Sequence, residues 1–395
     1  MNPKYLAVVG AFAIQFTVIG SLFSLGLYIK VFEAEFGWSR TLVSGGNAVA
    51  TLMMGTLAIF AGRFSDKLGP RRVLLVSGVC FSAGLALLSQ INHPWQFYAL
   101  MASLFAIGLA THDVVTLSTI AHWFDKRRGL MTAVVKVGTA LGQVFLPLLV
   151  AALIVGVGWR STFLVLAAGS LLILLLAALL MRYPTEGEVA DHSHAAKGQG
   201  LTLGEARQTR TLWKMWTIQF LFFSSLMTVP VHLAAHGMDL GLSTSQAAVL
   251  LSFVGGASVA GRLVLGALVD RIGCRNALSL CLLILMFALG AYAVTSTTQL
   301  LFVVTAVYGF AHGALFVVVS PTVAYYFGMK AHGAIFGSVL FMGTFGSAIG
   351  PIAAGASFDL LGSYLPAFIA LALFAALALV LARSLPKLPE ELPRS

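Results

Sequence analysis

Long apolar stretches alternate with short polar connections along the whole chain. Each stretch has between 19 and 28 residues, and a helix needs about 20 apolar residues to cross the hydrocarbon core of a bilayer. The pattern therefore predicts twelve transmembrane helices. They lie at 5–29, 41–62, 73–91, 96–120, 129–156, 161–182, 213–236, 246–269, 277–295, 300–324, 333–357 and 364–382.

One connection is much longer than the others. Residues 183–212 are polar and charged, which is typical of a linker between two bodies. The sequence thus predicts an N-terminal six-helix bundle at 1–182, a linker at 183–212, and a C-terminal six-helix bundle with a short tail at 213–395.

The two halves resemble each other when the chain is shifted by 204 positions. Ile14-Gln15-Phe16 then falls on Ile218-Gln219-Phe220, and Pro147 falls on Pro351. Matches of this kind occur in five helices and a loop, which indicates parallel repeats. We expect an all-α membrane protein with two pseudo-symmetric bundles and a binding site near mid-bilayer between them.

The composition agrees with a chain that lies largely in lipid. Charged residues make up 10% of the sequence and hydrophobic residues 59%, whereas a soluble domain carries about 25% charged residues. Of the 24 Lys and Arg residues, 19 fall in alternate connections and the tails on one side, 3 on the other, and 2 within helices. This split predicts that both termini and the linker are cytoplasmic, and it explains the net charge of +10 without a nucleic-acid partner.

Two loops share a motif. GRFSDKLGPRR (62–72) and GALVDRIGCRN (266–276) both fit Gly-x-x-x-Asp-[Arg/Lys]-x-Gly-x-[Arg/Lys]. They resemble the signature that the major facilitator superfamily carries between helices 2 and 3 and between helices 8 and 9. The resemblance covers the whole chain and implies the major facilitator fold. It also implies that the loops gate one face; the gating candidates are Gly62, Asp66, Gly69, Arg71, Asp270 and Arg271.

A narrower resemblance rests on two further stretches. VFEAEFGWSR (31–40) and HWFDKRRGLMTAVVKVGTALGQVFLPLL (122–149) are similar to the bacterial monocarboxylate transporter and oxalate–formate antiporter branch. This similarity implies a location in the bacterial inner membrane. The oxalate exchanger's branch carries a Lys in helix 11, but the stretch 333–357 has no charge, which disfavours a dicarboxylate.

Arg262 is the first of three charged residues inside predicted helices. Such a residue costs about 2.5–3.5 kcal/mol on insertion scales, so each is a functional candidate. Arg262 lies eight residues before Asp270, at a depth of about 12 Å. Its guanidinium could bind a substrate carboxylate through two parallel hydrogen bonds, and related carriers place a substrate-binding Arg in helix 8. The alternative is that the side chain extends to the cytoplasmic surface.

Lys136 and Asp113 lie at similar depths in neighbouring helices, about 12 and 16 Å from the cytoplasmic end. A short turn joins these helices, so an ion pair between the two side chains is expected, although Lys136 is also a substrate-binding candidate. If the pair forms, the charged groups inside the helices sum to a positive charge, which favours an anionic substrate. Gln143 shares the helix face of Lys136 and is a further candidate.

Other polar residues within the helices complete the predicted site. Proton coupling is assigned to His112, Asp113 and His312, because His binds and releases protons near neutral pH. Helix packing and inter-helix hydrogen bonding are alternative roles for each His and Gln. The remaining substrate-binding candidates are Gln15, Gln219, Tyr28 and His232.

The sequence favours a secondary transporter of a small organic anion, most simply a monocarboxylate such as lactate moving with a proton. It has no nucleophile elbow, phosphate-binding loop or cluster of metal ligands, so we expect no enzymatic activity, cofactor or metal. The alternatives are a proton-coupled exporter of a drug-like or other small solute and a receptor without transport. We expect a monomer that works with a small anion, protons and the lipid bilayer.

The charge split gives a topological prediction. A reporter enzyme that is active only outside the cytoplasm should be inactive when it is fused after Ser395. The same reporter fused after Asn92, in a connection on the opposite side, should be active and serves as the control. Activity of the Ser395 fusion would contradict the predicted orientation.

Overall fold

The computed structural model describes residues 3–124, 128–185, 200–328 and 331–387. Nearly all of them are helical, with a 3₁₀ turn at Leu25–Leu27 and a π-helical turn at Met101–Phe105. The helices are α1 Pro3–Ser24, α2 Tyr28–Phe36, α3 Arg40–Leu68, α4 Pro70–Leu88, α5 Pro94–Leu100, α6 Ala106–Trp123, α7 Arg128–Val157, α8 Trp159–Leu180, α9 Leu203–Arg207, α10 Arg210–Asp239, α11 Thr244–Ile272, α12 Cys274–Val294, α13 Thr298–Phe327, α14 His332–Leu361 and α15 Leu365–Arg383.

The predicted fold class is confirmed. Eleven spans within the described residues are long and apolar enough to cross a membrane, and the 29-residue helix α3 accounts for the remaining predicted stretch. Several helices continue beyond their apolar stretch, because a helix ends where the backbone turns and not where polarity changes. The first stretch, for example, ends at 29 in the sequence pattern, while the chain stays helical to Phe36.

The repeat is visible in the helix bounds. Shifting α3 by 204 positions gives 244–272, which are the bounds of α11. Turns repeat as well: Gly69 and Gly273 have φ angles of 81° and 80°. Glycine is needed at both positions because other residues rarely adopt positive φ.

The described helices form two compact units. The first contains α1 to α8 together with Pro230–Gly255, which is the end of α10 and the beginning of α11. The second contains α9, the rest of α10 and α11, and α12 to α15. The units therefore do not follow the sequence repeat at Pro230–Gly255, a segment of the second repeat that packs with the first.

Glycines allow the closest helix contacts inside each unit. A Cβ atom added to Gly142 of α7 would lie 2.3 Å from the backbone oxygen of Phe16 in α1. The equivalent Gly346 of α14 has the same relation, at 2.2 Å, to Phe220 of α10. Small residues at such points are typical of membrane helices, which gain stability from close packing.

We expect Gly142→Ala to lower the melting temperature in detergent, because overpacking costs about 1–3 kcal/mol. Gly169→Ala is the control, since nothing lies within 4 Å of a Cβ added there. Equal melting temperatures for the two variants would show that the α1–α7 contact does not require glycine.

Candidate substrate and coupling site

A polar cluster lies between α1, α6 and α7 in the first unit, and we call it the Asp113 cluster. The ammonium group of Lys136 forms an ion pair and hydrogen bond with Asp113 Oδ1, as the sequence predicts. The amide of Gln15 donates to the same oxygen at 2.7 Å. The cluster comprises Gln15, His112, Asp113, Thr116, Lys136 and Thr139.

Gln15 fixes the position of the ion pair through hydrogen bonds. Its side chain is fully buried, and its amide also donates to the backbone oxygen of His112 at 2.9 Å. Its own oxygen accepts a hydrogen bond of 2.7 Å from Thr139. The side chains of Asp113 and Lys136 keep 42% and 32% of their accessible surface. Gln15 thus fixes the pair, while each charged side chain keeps part of its surface accessible.

His112 lies beside the ion pair. Its Nδ1 contacts the backbone oxygen of Leu109, and its Nε2 lies 3.6 Å from Asp113 Oδ2. Two of the three predicted proton-coupling residues, His112 and Asp113, are therefore in contact within the first unit.

The second unit brings Arg262 and His312 to one aromatic ring. The guanidinium carbon of Arg262 lies 5.9 Å from the centroid of Phe316, a distance at which the ring attracts a cation. The ring of His312, which is fully buried, lies 5.2 Å from the same centroid. Phe223 of α10 packs on Phe316 edge to face at 5.6 Å. Here too a candidate binding residue lies beside a candidate proton carrier.

Gln219 shows that the two repeats differ chemically. It is the repeat counterpart of Gln15, yet both polar atoms of its buried amide lack a hydrogen bond to any described residue. Val317, Leu340 and Gly343 occupy the positions that correspond to Asp113, Lys136 and Thr139. These three residues offer no polar side chain to Gln219, so the second unit has no equivalent of the Asp113 cluster in its described part.

The other substrate-binding candidates lie outside both clusters. Tyr28 stacks on Phe163 with ring centroids 4.3 Å apart, and His232 Nε2 lies 3.0 Å from the hydroxyl of Ser44. Gln143 is 2% exposed, and its Cβ would lie 2.9 Å from a Cβ added to Gly255. The hydroxyl of Tyr28 and Oε1 of Gln143 are buried without a hydrogen bond to any described residue. The substrate-binding role of all three residues therefore stays a prediction.

The gating loops are described only in part. Gly62 lies within α3, Gly69 and Gly273 form the turns after α3 and α11, and Arg71 and Arg271 are exposed. The side chains of Asp66 and Asp270 lie outside the described part of the structure. The gating role therefore stays a prediction.

Sequence reasoning missed Thr116, Thr139 and Phe316, and also the ion pair that buried Arg40 forms with Asp239. Hydroxyl and phenyl side chains are too common in membrane helices to be selected individually. Arg40 had a weak signal, because it is one of only three basic residues on the predicted extracellular side.

A comparison with protein families identifies the fold and the general activity. The family model described as "Major Facilitator Superfamily" matches residues 11–299 and 263–395. The chain belongs to the major facilitator superfamily. The members of this superfamily are membrane transporters and not enzymes.

Three related transporters show how broad the similarity is. "MFS-type transporter 1" of Ophiocordyceps sp. is 26% identical, over 80% of this chain and 69% of its own length. "Monocarboxylate transporter 13" of Rattus norvegicus is 25% identical, over 92% of this chain and 85% of its own. "Agnestins efflux protein AgnL12" of Paecilomyces divaricatus is 25% identical, over 95% and 84%.

A solved structure supports the fold. A bacterial homolog of the human lysosomal transporter Spinster, in an inward-facing and unoccupied conformation, aligns with a TM-score of 0.78 at 15% identity. The alignment covers 96% of this transporter and 97% of that chain.

The Asp113 cluster allows a stability test. Asp113→Asn and Lys136→Gln should each lower the free energy of unfolding by about 1–3 kcal/mol, between the values for exposed and buried pairs. The double variant should lose less than the sum, because neither charge is then left alone. Melting temperatures in detergent provide the measurement, and strict additivity would show that the pair is not energetically coupled.

Proposed function

We propose that this transporter carries a small organic anion, a monocarboxylate such as lactate, together with a proton by alternating access. The observation that supports the proposal most directly is the contact between Lys136 and Asp113. These two charges neutralise each other, so the formal charge of the ionised groups in the middle of the spans is that of Arg262. A net positive interior favours an anion over a cation.

Arg262 suits a carboxylate for geometric reasons. A guanidinium offers two parallel hydrogen bonds to a carboxylate, and it remains charged at every physiological pH. The ring of Phe316 lies next to it, and Phe223 packs on Phe316. This apolar surface suits the short carbon chain of a monocarboxylate. The uncharged stretch 333–357 supplies no second cation for a dicarboxylate.

The proton would make transport electrically neutral. A proton and a monoanion carry no net charge together, so the membrane potential of about 2.3 kcal/mol per charge per 100 mV does not oppose uptake. His112, Asp113 and His312 remain the proposed carriers. Of these, His312 shares the Phe316 ring with Arg262, so its protonation would be felt electrostatically by the bound anion.

The relative named monocarboxylate transporter 13 supports the substrate class, because it aligns with 92% of this chain. We also propose a location in the bacterial inner membrane, which the resemblance to the bacterial branch implies, with both termini cytoplasmic, as the charge split indicates. The proposed state is a monomer in which the halves 1–182 and 213–395 are the moving bodies.

Export of a small drug-like solute is the second candidate function. It is favoured by the relative named as an efflux protein, which aligns with 95% of this chain. An exporter of cations would need an acidic group that is available to the solute, and Asp113 is instead bound to Lys136 and Gln15. Proteoliposomes with a pH gradient of either sign distinguish the two functions. Accumulation of labelled lactate in the direction of proton movement supports symport. Proton-driven extrusion of a cationic dye supports export.

Arg262 gives the main test. The affinity for the carboxylate should fall from wild type to Arg262→Lys and again to Arg262→Gln, because Lys keeps the charge without the two-pronged geometry and Gln loses both. Each step should cost about 1–3 kcal/mol, the range for charge-assisted hydrogen bonds. Binding titrations on purified, folded variants measure the effect.

Arg160→Gln is the matched control, since Arg160 pairs with Glu35 at the end of a helix and should not affect substrate affinity. If Arg262→Gln bound lactate and related carboxylates as tightly as this control, Arg262 would be structural and the anion proposal would lose its main support.

A further inference from the structure

A cavity of about 500 Å³ lies in the second unit, at the end that is predicted to face the cytoplasm. We call it the tail cavity, because the segment after the last helix, α15, forms part of its wall. No acidic side chain is among the described residues that line it. The residues that the argument uses are Val269 and Ile272 of α11, Arg275 and Asn276 of α12, Tyr325 of α13 and Lys387 of the segment.

Hydrogen bonds to the backbone fix the segment that carries Lys387. The hydroxyl of Tyr325 donates to the backbone oxygen of Lys387 at 2.8 Å. The hydroxyl of Tyr326 donates to the backbone oxygen of Pro386, also at 2.8 Å. The ammonium group of Lys387 takes no part in these bonds, so this wall of the cavity keeps its place whether or not that group binds an anion.

Arg275 and Lys387 give the tail cavity a positive charge. Neither forms an ion pair with a carboxylate of the described residues. The guanidinium of Arg275 donates to the backbone oxygen of Arg383, while its Nε is buried without a hydrogen bond to any described residue. Because a buried N–H group is normally hydrogen-bonded, this donor indicates that the guanidinium can still bind an acceptor.

The equivalent region of the first repeat is built differently. Tyr183 and Ser65 lie 204 positions before Lys387 and Val269. The hydroxyls of Tyr183 and Ser65 are 2.9 Å apart, so these two side chains are in contact. Lys387 and Val269 instead both line the tail cavity. A long cation and an apolar residue in the second repeat thus stand where the first repeat has a closed contact between hydroxyls.

The tail cavity lies where the membrane spans end. The apolar span of α11 stops at Val269, and that of α12 begins at Cys274, so the residues between them lie at the membrane surface. Basic pockets between membrane helices at the cytoplasmic surface suit the phosphate-bearing head groups of lipids. A guanidinium binds phosphate through two parallel hydrogen bonds, and the apolar wall formed by Val269 and Ile272 suits the carbon atoms next to a head group.

We propose that the tail cavity binds a phosphate group through Arg275 and Lys387, and that the apolar wall selects the phosphate of an anionic phospholipid over free phosphate. Such a lipid joins the beginning of α12 to the segment after α15. The site is distinct from the proposed transport site, because Arg262 lies about 15 Å along α11 from Ile272.

The test measures lipid binding to the purified full-length transporter in a neutral detergent. The probe is dihexanoyl phosphatidylglycerol, which carries one phosphate and a net negative charge. Native mass spectrometry counts the bound lipid molecules at each concentration, and inorganic phosphate is the competitor. The melting temperature of each variant without lipid checks that the variant is folded.

Arg275→Gln should weaken lipid binding about tenfold, as expected for the loss of a charge-assisted hydrogen bond. Lys387→Gln should weaken it about threefold, because an exposed cation contributes less. This second variant keeps the backbone contact with Tyr325, so it separates loss of the site from loss of the segment. Arg72→Gln is the control: it removes a cation from the first repeat at the position that corresponds to Asn276, and lipid binding should not change.

The competitor identifies the source of the phosphate group. Lipid that binds more tightly than inorganic phosphate supports a head-group site, whereas equal affinities support a site for free phosphate and remove the role of the apolar wall. Unchanged lipid binding in both Arg275→Gln and Lys387→Gln would overturn the proposal, and so would an equal loss in Arg72→Gln. The measurement involves no transport, so its result does not depend on whether the transported solute is a monocarboxylate.

Discussion

The cost of placing charge inside a bilayer governs how this transporter uses its few ionisable residues. Each such group costs about 2.5–3.5 kcal/mol on insertion scales, so it must be neutralised by protein or reserved for a ligand. Lys136 and Asp113 neutralise each other and are fixed by the fully buried Gln15. In the second unit, the guanidinium of Arg262 lies beside the ring of Phe316. The proposed anion specificity rests on the formal charges of these three residues, which sum to that of Arg262.

The repeat makes a comparison of Gln15 with Gln219 meaningful, because positions 204 residues apart occupy equivalent places in the two repeats. Gln15 is saturated with hydrogen bonds, whereas both polar atoms of Gln219 lack a partner among the described residues. A buried polar atom without a hydrogen bond costs about 1–3 kcal/mol. In the second repeat, the buried amide of Gln219 near Gly343 therefore lacks the hydrogen bonds that Gln15 makes in the first repeat.

The sequence predicted the helices and the repeat well, because both depend on local apolar runs and on glycine at turns. It also predicted the Lys136–Asp113 pair, since a short connection fixes the relative depth of the two helices. It could not predict where Tyr28 points. Stacking on Phe163 depends on the rotation of α2 against α8, and one residue of rotation changes which face a side chain occupies. The bond between Arg40 and Asp239 spans 199 positions, and no local pattern specifies such a pairing.

Asp239 is held differently from the equivalent carboxylate of the first repeat. Glu35 is bound within its own repeat by Arg160 and Trp159. Tyr364 occupies the position that corresponds to Arg160 in the second repeat, and Asp239 is bound by Arg40 and Lys30 of the first repeat. Where each carboxylate finds its cation therefore depends on single residue differences between the repeats, which the apolar pattern that specifies the helices does not encode.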